Sequence, residues 1–237
     1  MAGHSKWANI KHRKERADQK KGKIFSQIIK ELITAVKIGG SDPKTNAKLR
    51  LVLEKAKKAG VPKENIDRNL KKAAHGSSEE YTEVVYELYG HAGVGILAVA
   101  LTDNKNRTAS FMRIATNKKG GSIASPGSVS YNFTRKGVLQ VAEKEMEEEA
   151  LFSLAIDSYA EDFAVIEEGY VICTKMEDLY AMKDLLEEKQ VVCDASIEFL
   201  PNISVSCDDE QTQANLELIQ FLEDIEDVDA VYHNMEL

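Results

Sequence analysis

The chain has 237 residues, 43% hydrophobic and 30% charged, which fits ordinary globular domains, two or three small ones rather than one large one. No apolar run approaches the roughly 20 residues of a membrane helix, and three scattered cysteines, Cys173, Cys193 and Cys207, exclude a disulfide framework. The net charge of −8 conceals an asymmetry: residues 1–76 hold 20 Lys and Arg against 7 Asp and Glu, whereas residues 138–237 hold 4 against 27. One region is built to meet a polyanion and another to repel it.

Residues 4–23, HSKWANIKHRKERADQKKGK, are almost uniformly polar. Such a segment buries too little apolar surface to offset its ordering entropy, so a flexible basic arm that orders on a partner is expected. From Ile24 the pattern changes. Ile24, Phe25, Ile28, Ile29, Leu32, Ile33 and Val36 recur at helical spacing, and Gly39-Gly40 ends that helix. Asp42 as a cap and Pro43 at the first turn predict a second helix running to about Ala59. Val61-Pro62 opens a third, closed by Gly76. A small helical bundle follows. On its third helix Ile66, Leu70 and Ala73 share one face, while Arg68, Lys71 and Lys72 point away. Residues 43–74 carry 10 Lys and Arg but only three acids, Glu54, Glu64 and Asp67. Most of these cations have no local mate.

After Gly76 the period shifts to that of strands. Val84–Tyr89 and Gly95–Leu101 read as two of them. Thr102-Asp103-Asn104 supplies cap chemistry for a helix to about Lys119, and Val129–Phe133 reads as a further strand. A βαββαβ pattern comes next: strand Val138–Val141, helix Met146–Ile156, hairpin Phe163–Ile166 and Tyr170–Thr174, helix Glu177–Glu188, strand Val191–Phe199. This is the ferredoxin-like order. Beyond Pro201 come strand Ile203–Ser206, helix Gln211–Glu223 and strand Ala230–His233, too short for a domain of their own. The expected fold is α+β and multidomain: an N-terminal three-helix bundle, then two α/β sandwich domains, the ferredoxin-like one inserted into the middle one. The boundaries expected are 1–78, 79–135 with 201–237, and 136–200.

Signatures of catalysis are missing: the sequence holds no GxxxxGKS/T, GxSxG or HExxH. Gly93-Val94-Gly95-Ile96-Leu97-Ala98 matches GxGxxA, but a dinucleotide loop needs a helix there and this segment reads as a strand. The five histidines do not pair with one another or with cysteine at ligand spacing. The run Glu145, Glu147, Glu148, Glu149 suits the positive end of a helix better than a calcium loop. No catalytic residue, cofactor, metal or small-molecule substrate is therefore expected, and the chain reads as a non-enzyme. The strongest constellation is the arm. Lys6, Lys11, Arg13, Lys14, Arg16, Lys20, Lys21 and Lys23 can neutralise phosphates, and His4 and His12 lie among them. Trp7, the one tryptophan, can stack on a base or pack against the bundle. Arg68, Lys71 and Lys72 extend the basic surface. The implied partner is DNA or ribosomal RNA, with no membrane.

The segments GHSKWANIKHRKERADQKKGKIF, GVPKENIDRNLKKA, YELYG, LTDNKNRT, KKGGSIASPGSVSYNF and VYHNM together resemble the YebC family across nearly the whole chain. The resemblance implies three domains, the first an all-helical basic bundle. It implies a DNA-binding regulator of transcription, and the scattered cysteines predict a reducing, cytoplasmic setting for it. The family also contains translational activators and ribosome-linked members that relieve stalling, so a translation factor on ribosomal RNA is the alternative.

Overall fold

A computed structural model of the chain describes residues 7–13, 21–76 and 80–237, with the side chains of 21 and 22 left aside. Two compact units divide these residues. One is built from Phe133–Asn202 together with the described residues Trp7 and Ala8, the other from Asn9–Asn132 and Ile203–Leu237.

The larger unit begins with three helices, α1 (Lys21–Gly39), α2 (Ala47–Lys58) and α3 (Lys63–Ala74). Ile28, Leu32, Ala35 and Val36 of α1 meet Leu49, Val52 and Ala56 of α2, and Ile66, Leu70 and Ala73 of α3 close over them. The second helix starts later than Asp42-Pro43 predicts. Asn46 is the true cap: its Oδ1 accepts from Leu49 N at 3.0 Å, and its Nδ2 donates to Ala35 O (2.8 Å) and Gly40 O (2.7 Å). One amide thereby caps α2 and satisfies end carbonyls of α1, which Asp42 cannot do. A Cβ on Gly39 would sit 2.7 Å from Asn46 Cγ, so this close approach requires glycine.

The sheet that follows has the order β3-β1-β2-β8, from β1 (Thr82–Tyr89), β2 (Gly95–Thr102), β3 (Ser122–Ile123) and β8 (Val228–His233). Residue 233 pairs with Ile96 and residue 231 with Ala98, both antiparallel, so the middle sheet is completed by a strand from beyond the inserted unit. On one face lie α4 (Lys105–Lys119) and α7 (Asp209–Asp224). Ile96 and Ala98 share a core there with Met112, Ala115, Leu218, Ile219 and Leu222. Helix α1 packs towards β2 as well, and every residue of β2 is buried. That explains its unbroken apolar run, which a one-sided strand would alternate. Asp208 and Gln211 form the capping box that starts α7.

Two expected strands are not strands. Val129–Phe133 holds a short 3-10 turn (Ser130–Asn132), and Ile203–Ser206 supplies only a single bridge, Val205 to Met235. The first is set by Glu87. Its carboxylate accepts from Gly127 N (2.7 Å), Val129 N (2.7 Å), Ser130 N (2.8 Å) and Ser130 Oγ (3.0 Å). Backbone donors aimed at a carboxylate leave no ladder to form. Partial burial raises the Glu87 carboxyl, and the backbone donors of Gly127, Ser130 and Val129 together outweigh it and hold it below its ordinary value. Glu87→Gln is expected to lower stability by about 1–2 kcal/mol near neutrality, discounted for exposure. Because the folded value is depressed, the difference between the two proteins should shrink as pH falls through it. Urea melts at neutral and acid pH check both statements.

The smaller unit is β4 (Phe133–Ala142), α5 (Glu148–Ile156), β5 (Ala160–Ile166), β6 (Gly169–Lys175), α6 (Leu179–Glu188) and β7 (Cys193–Pro201). Its strand order β5-β6-β4-β7, antiparallel throughout, is the ferredoxin-like arrangement. The acidic run forms a short 3-10 turn (Glu143–Glu145) and then the first turn of α5, with Glu148 and Glu149 at its positive end.

The expectation of a flexible arm is corrected over 7–13. These residues are helical, and Trp7 (5% exposed) and Ile10 (4%) are buried. Mean polarity over the segment hides two apolar side chains at i, i+3, enough to anchor one helical face. Asn9 Nδ2 adds bonds to Met235 O (3.0 Å) and His233 O (3.4 Å). Trp7 fluorescence in the native protein should therefore lie to the blue of that in denaturant. Identical emission maxima would show a solvent-exposed ring.

Candidate nucleic-acid interface

The outward side of α3 is made by the sequence in the simplest way. Three apolar residues at i, i+4 and i+7 turn inward, and the cations between them turn out. Arg68, Lys71 and Lys72 are exposed, as are Lys57, Lys58 and Lys63 at the α2–α3 corner. Arg68 Nη2 donates to Asn65 Oδ1 at 2.9 Å, and Asn69 Nδ2 to Asn65 O at 2.8 Å. Cations at this density, with few carboxylates among them, favour a phosphate backbone.

The arm residues scatter. Lys6, Lys14, Arg16 and Lys20 lie outside the described residues, and so does the side chain of Lys21. His12 is exposed and Lys11 half-buried. Trp7 is buried, so its ring is not presented for stacking on a base. Arg13 and Lys23 are turned inward. The Arg13 guanidinium lies 5.0 Å from the centre of the Tyr232 ring, and Lys23 Nζ donates to the carbonyls of Glu223 and of Ile225 (2.6 Å). Those carbonyls end α7, where a cation meets the negative end of the helix. Arg13 thus ties the helical segment 7–13 to β8, and Lys23 ties α1 to the end of α7, a use that phosphate-contact reasoning misses.

They belong to a polar seam whose centre is Asp227. Arg107 Nη2 reaches its Oδ2 at 2.7 Å and Oδ1 at 2.9 Å, and Arg107 Nε its Oδ2 at 3.2 Å. Lys30 Nζ is 3.1 Å from Oδ1, and the Thr108 and Thr102 hydroxyls donate to Oδ2 at 2.9 and 3.3 Å. Burial raises this carboxyl, but the bonds from Arg107, Thr108 and Lys30 win and hold it below its ordinary value. Nearby, burial first and then Asp229 push Glu31 up to about 8, while Lys55, hydrogen-bonded to it, pulls the other way. Gln27 Nε2 donates to Val228 O at 2.6 Å in the same seam. Nothing in the acidic tail marks Asp227. The available signal was Lys30, an ammonium on an apolar helix that must find a carboxylate if buried.

Other clusters resolve as structure. Asn104 Oδ1 accepts from Arg107 N at 3.0 Å, which is ordinary capping of α4. His91–Gly93 is a turn leading into β2, and no helix starts there to hold a pyrophosphate. His233 is buried in β8. Among the described residues no three His, Cys, Asp or Glu side chains are grouped to hold a metal. Among those residues, too, no helix is long and apolar enough to cross a membrane.

Residues 5–76 match the domain described as "TACO1/YebC protein N-terminal domain", and residues 81–235 that described as "TACO1/YebC second and third domain". A "Probable transcriptional regulatory protein" of Protochlamydia amoebophila is 55% identical, over 100% of this chain and 97% of its own length. One of the same description from Chlamydia pneumoniae is 57% identical, over 99% and 100%. The crystal structure of a conserved hypothetical protein of Aquifex aeolicus superposes with a TM-score of 0.84 at 42% identity, covering 92% of this chain and 91% of that one.

Proposed function

Because the chain belongs to the TACO1/YebC family, we propose that it is a non-enzymatic, cytoplasmic regulator of gene expression that binds nucleic acid through its helical bundle, DNA being the first target. The observation that carries this reading is the exposed face of Arg68, Lys71 and Lys72 on α3, continued by Lys57, Lys58 and Lys63. The names of the relatives, probable transcriptional regulatory proteins, support it. Phosphate contacts of this kind fix a protein on a backbone without reading sequence.

A ribosomal RNA target, and with it a role in translation, is the second reading. It is favoured by the α3 amides: Asn65 and Asn69 bond within their own helix, so they are not poised to pair with adenine in a major groove. Binding should weaken steeply with salt in either case, log K falling against log[salt] with a slope of about −4 or steeper if six contacts form. Footprinting on promoter DNA and co-sedimentation with ribosomes, each with and without nuclease, separate the two targets. A flat salt dependence removes the basic surface from the mechanism.

A further inference from the structure

We propose that the outward face of α4 is a second nucleic-acid contact, one that takes unpaired bases of a single-stranded segment. The proposal rests on the reading that the chain binds nucleic acid at all, and it adds where and in what form.

Helix α4, KNRTASFMRIATNKK, carries five Lys and Arg and no Asp or Glu. Thr108, Met112, Ala115 and Thr116 are its buried side. Away from that side, at 100° per residue, Phe111 lies on the flank of the helix and Ile114, three residues on, nearly opposite. They are 42% and 43% exposed, large fractions for such side chains. Ser110 and Asn117, both exposed, lie on the same outward side; Asn117 offers an amide, and the Ser110 hydroxyl, which donates to Asn106 O at 2.9 Å, is left as an acceptor.

The helix itself carries charge of one sign, and the carboxylates that reach it from beside it are matched by its end cations. Arg107 is engaged by Asp227 and Asp103, and Lys119 by Glu217. Lys105 and Arg113 remain exposed on the same helix. Lys118 lies 5.7 Å over the Phe221 ring, so its stem stays on this surface too. An aromatic face, hydrogen-bonding side chains and cations without a carboxylate on the helix are the parts of a single-strand platform. A duplex does not fit it as well. Its bases are stacked on one another and show only edges, so an exposed ring on a helix flank has no base face to meet. An apolar protein surface would fill the patch but leave the cations unmatched.

The test uses the full chain and fluorescence anisotropy at fixed salt, with labelled oligouridine, labelled oligothymidine and a mixed-sequence duplex. Phe111→Ala should weaken single-strand binding about 5- to 100-fold, the equivalent of one lost stacking contact, and change duplex binding less than about twofold. Phe111→Tyr should restore it. Phe111→Leu keeps the apolar volume without the aromatic face, so it serves if the alanine variant is unstable. Arg113→Glu should weaken single-strand binding and flatten its salt slope by about one.

Unchanged single-strand affinity in both Phe111→Ala and Phe111→Leu overturns the platform while leaving the bundle reading intact. Absence of binding to any of the three probes in the unmutated chain overturns the proposed function itself. Binding of a polyglutamate peptide that is lost in Phe111→Ala, with oligonucleotide binding retained, overturns the platform in favour of an acidic protein partner.

Discussion

Replacing Asp227 with alanine is expected to cost about 3–5 kcal/mol of stability, the range for removing one partner of a buried ion pair. The Asp227 side chain is 3% exposed and that of Lys30 is 9% exposed. The carboxylate satisfies Arg107, Lys30, Thr102 and Thr108 together. Without it an ammonium stays buried beside a cavity, partly compensated by the Tyr81 ring 5.5 Å from Lys30 Nζ, while the Thr108 hydroxyl keeps Thr102 Oγ1 (2.8 Å) and Asn104 O (3.1 Å) as partners. Asp227→Asn keeps an acceptor and should cost less. Urea denaturation measures both, and a loss below about 1 kcal/mol for alanine contradicts the account. The pH dependence has a definite sign. The folded carboxyl is held below its ordinary value, so its contribution is complete above the unfolded value and disappears as pH falls through the folded one.

The triple variant Arg68→Glu, Lys71→Glu, Lys72→Glu should lower nucleic-acid affinity on the order of 100-fold at physiological salt. Each lost phosphate contact removes one released counterion, a factor of about five at 0.15 M, and three such factors multiply. Reversal of sign adds repulsion to that loss. The melting temperature should hardly move, because all three side chains are exposed. Affinity that stays within tenfold would place the contact on another surface.

The sequence made the inserted ferredoxin-like unit legible because its signals are local. The hairpin at Glu167-Glu168 and the α6 stripe each declare themselves within a dozen residues. Glu87 did not, since a carboxylate in a strand gives no sign that it will hold a loop 40 residues on. Asp227 was hidden for the same reason. Its partners lie 120 and 197 residues away in the chain, and one acid among 27 in residues 138–237 has no distinguishing neighbourhood. The arm misled in the opposite way. A window long enough to average charge was too long to notice Trp7 and Ile10. On α3 the exposed cations followed from helical period alone, whereas Arg13 and Lys23 looked like the same kind of residue and have a different use.

The pairing of β2 with β8 also sets an order of assembly during synthesis. Strand β2 ends at Thr102 and β8 begins at Val228, with the whole inserted unit between them. A ribosome making the chain from its N-terminus releases β2 long before its neighbour exists. The inserted unit, closed by contacts within 133–202, can finish first, while β2 waits with an apolar edge open. The bundle waits with it, because Asn9, Lys23, Gln27 and Lys30 all find their partners between residues 223 and 235. A nascent chain halted before β8 therefore carries a formed βαββαβ unit, a bundle closed on its own core but not yet tied to β8, and a strand open on one edge.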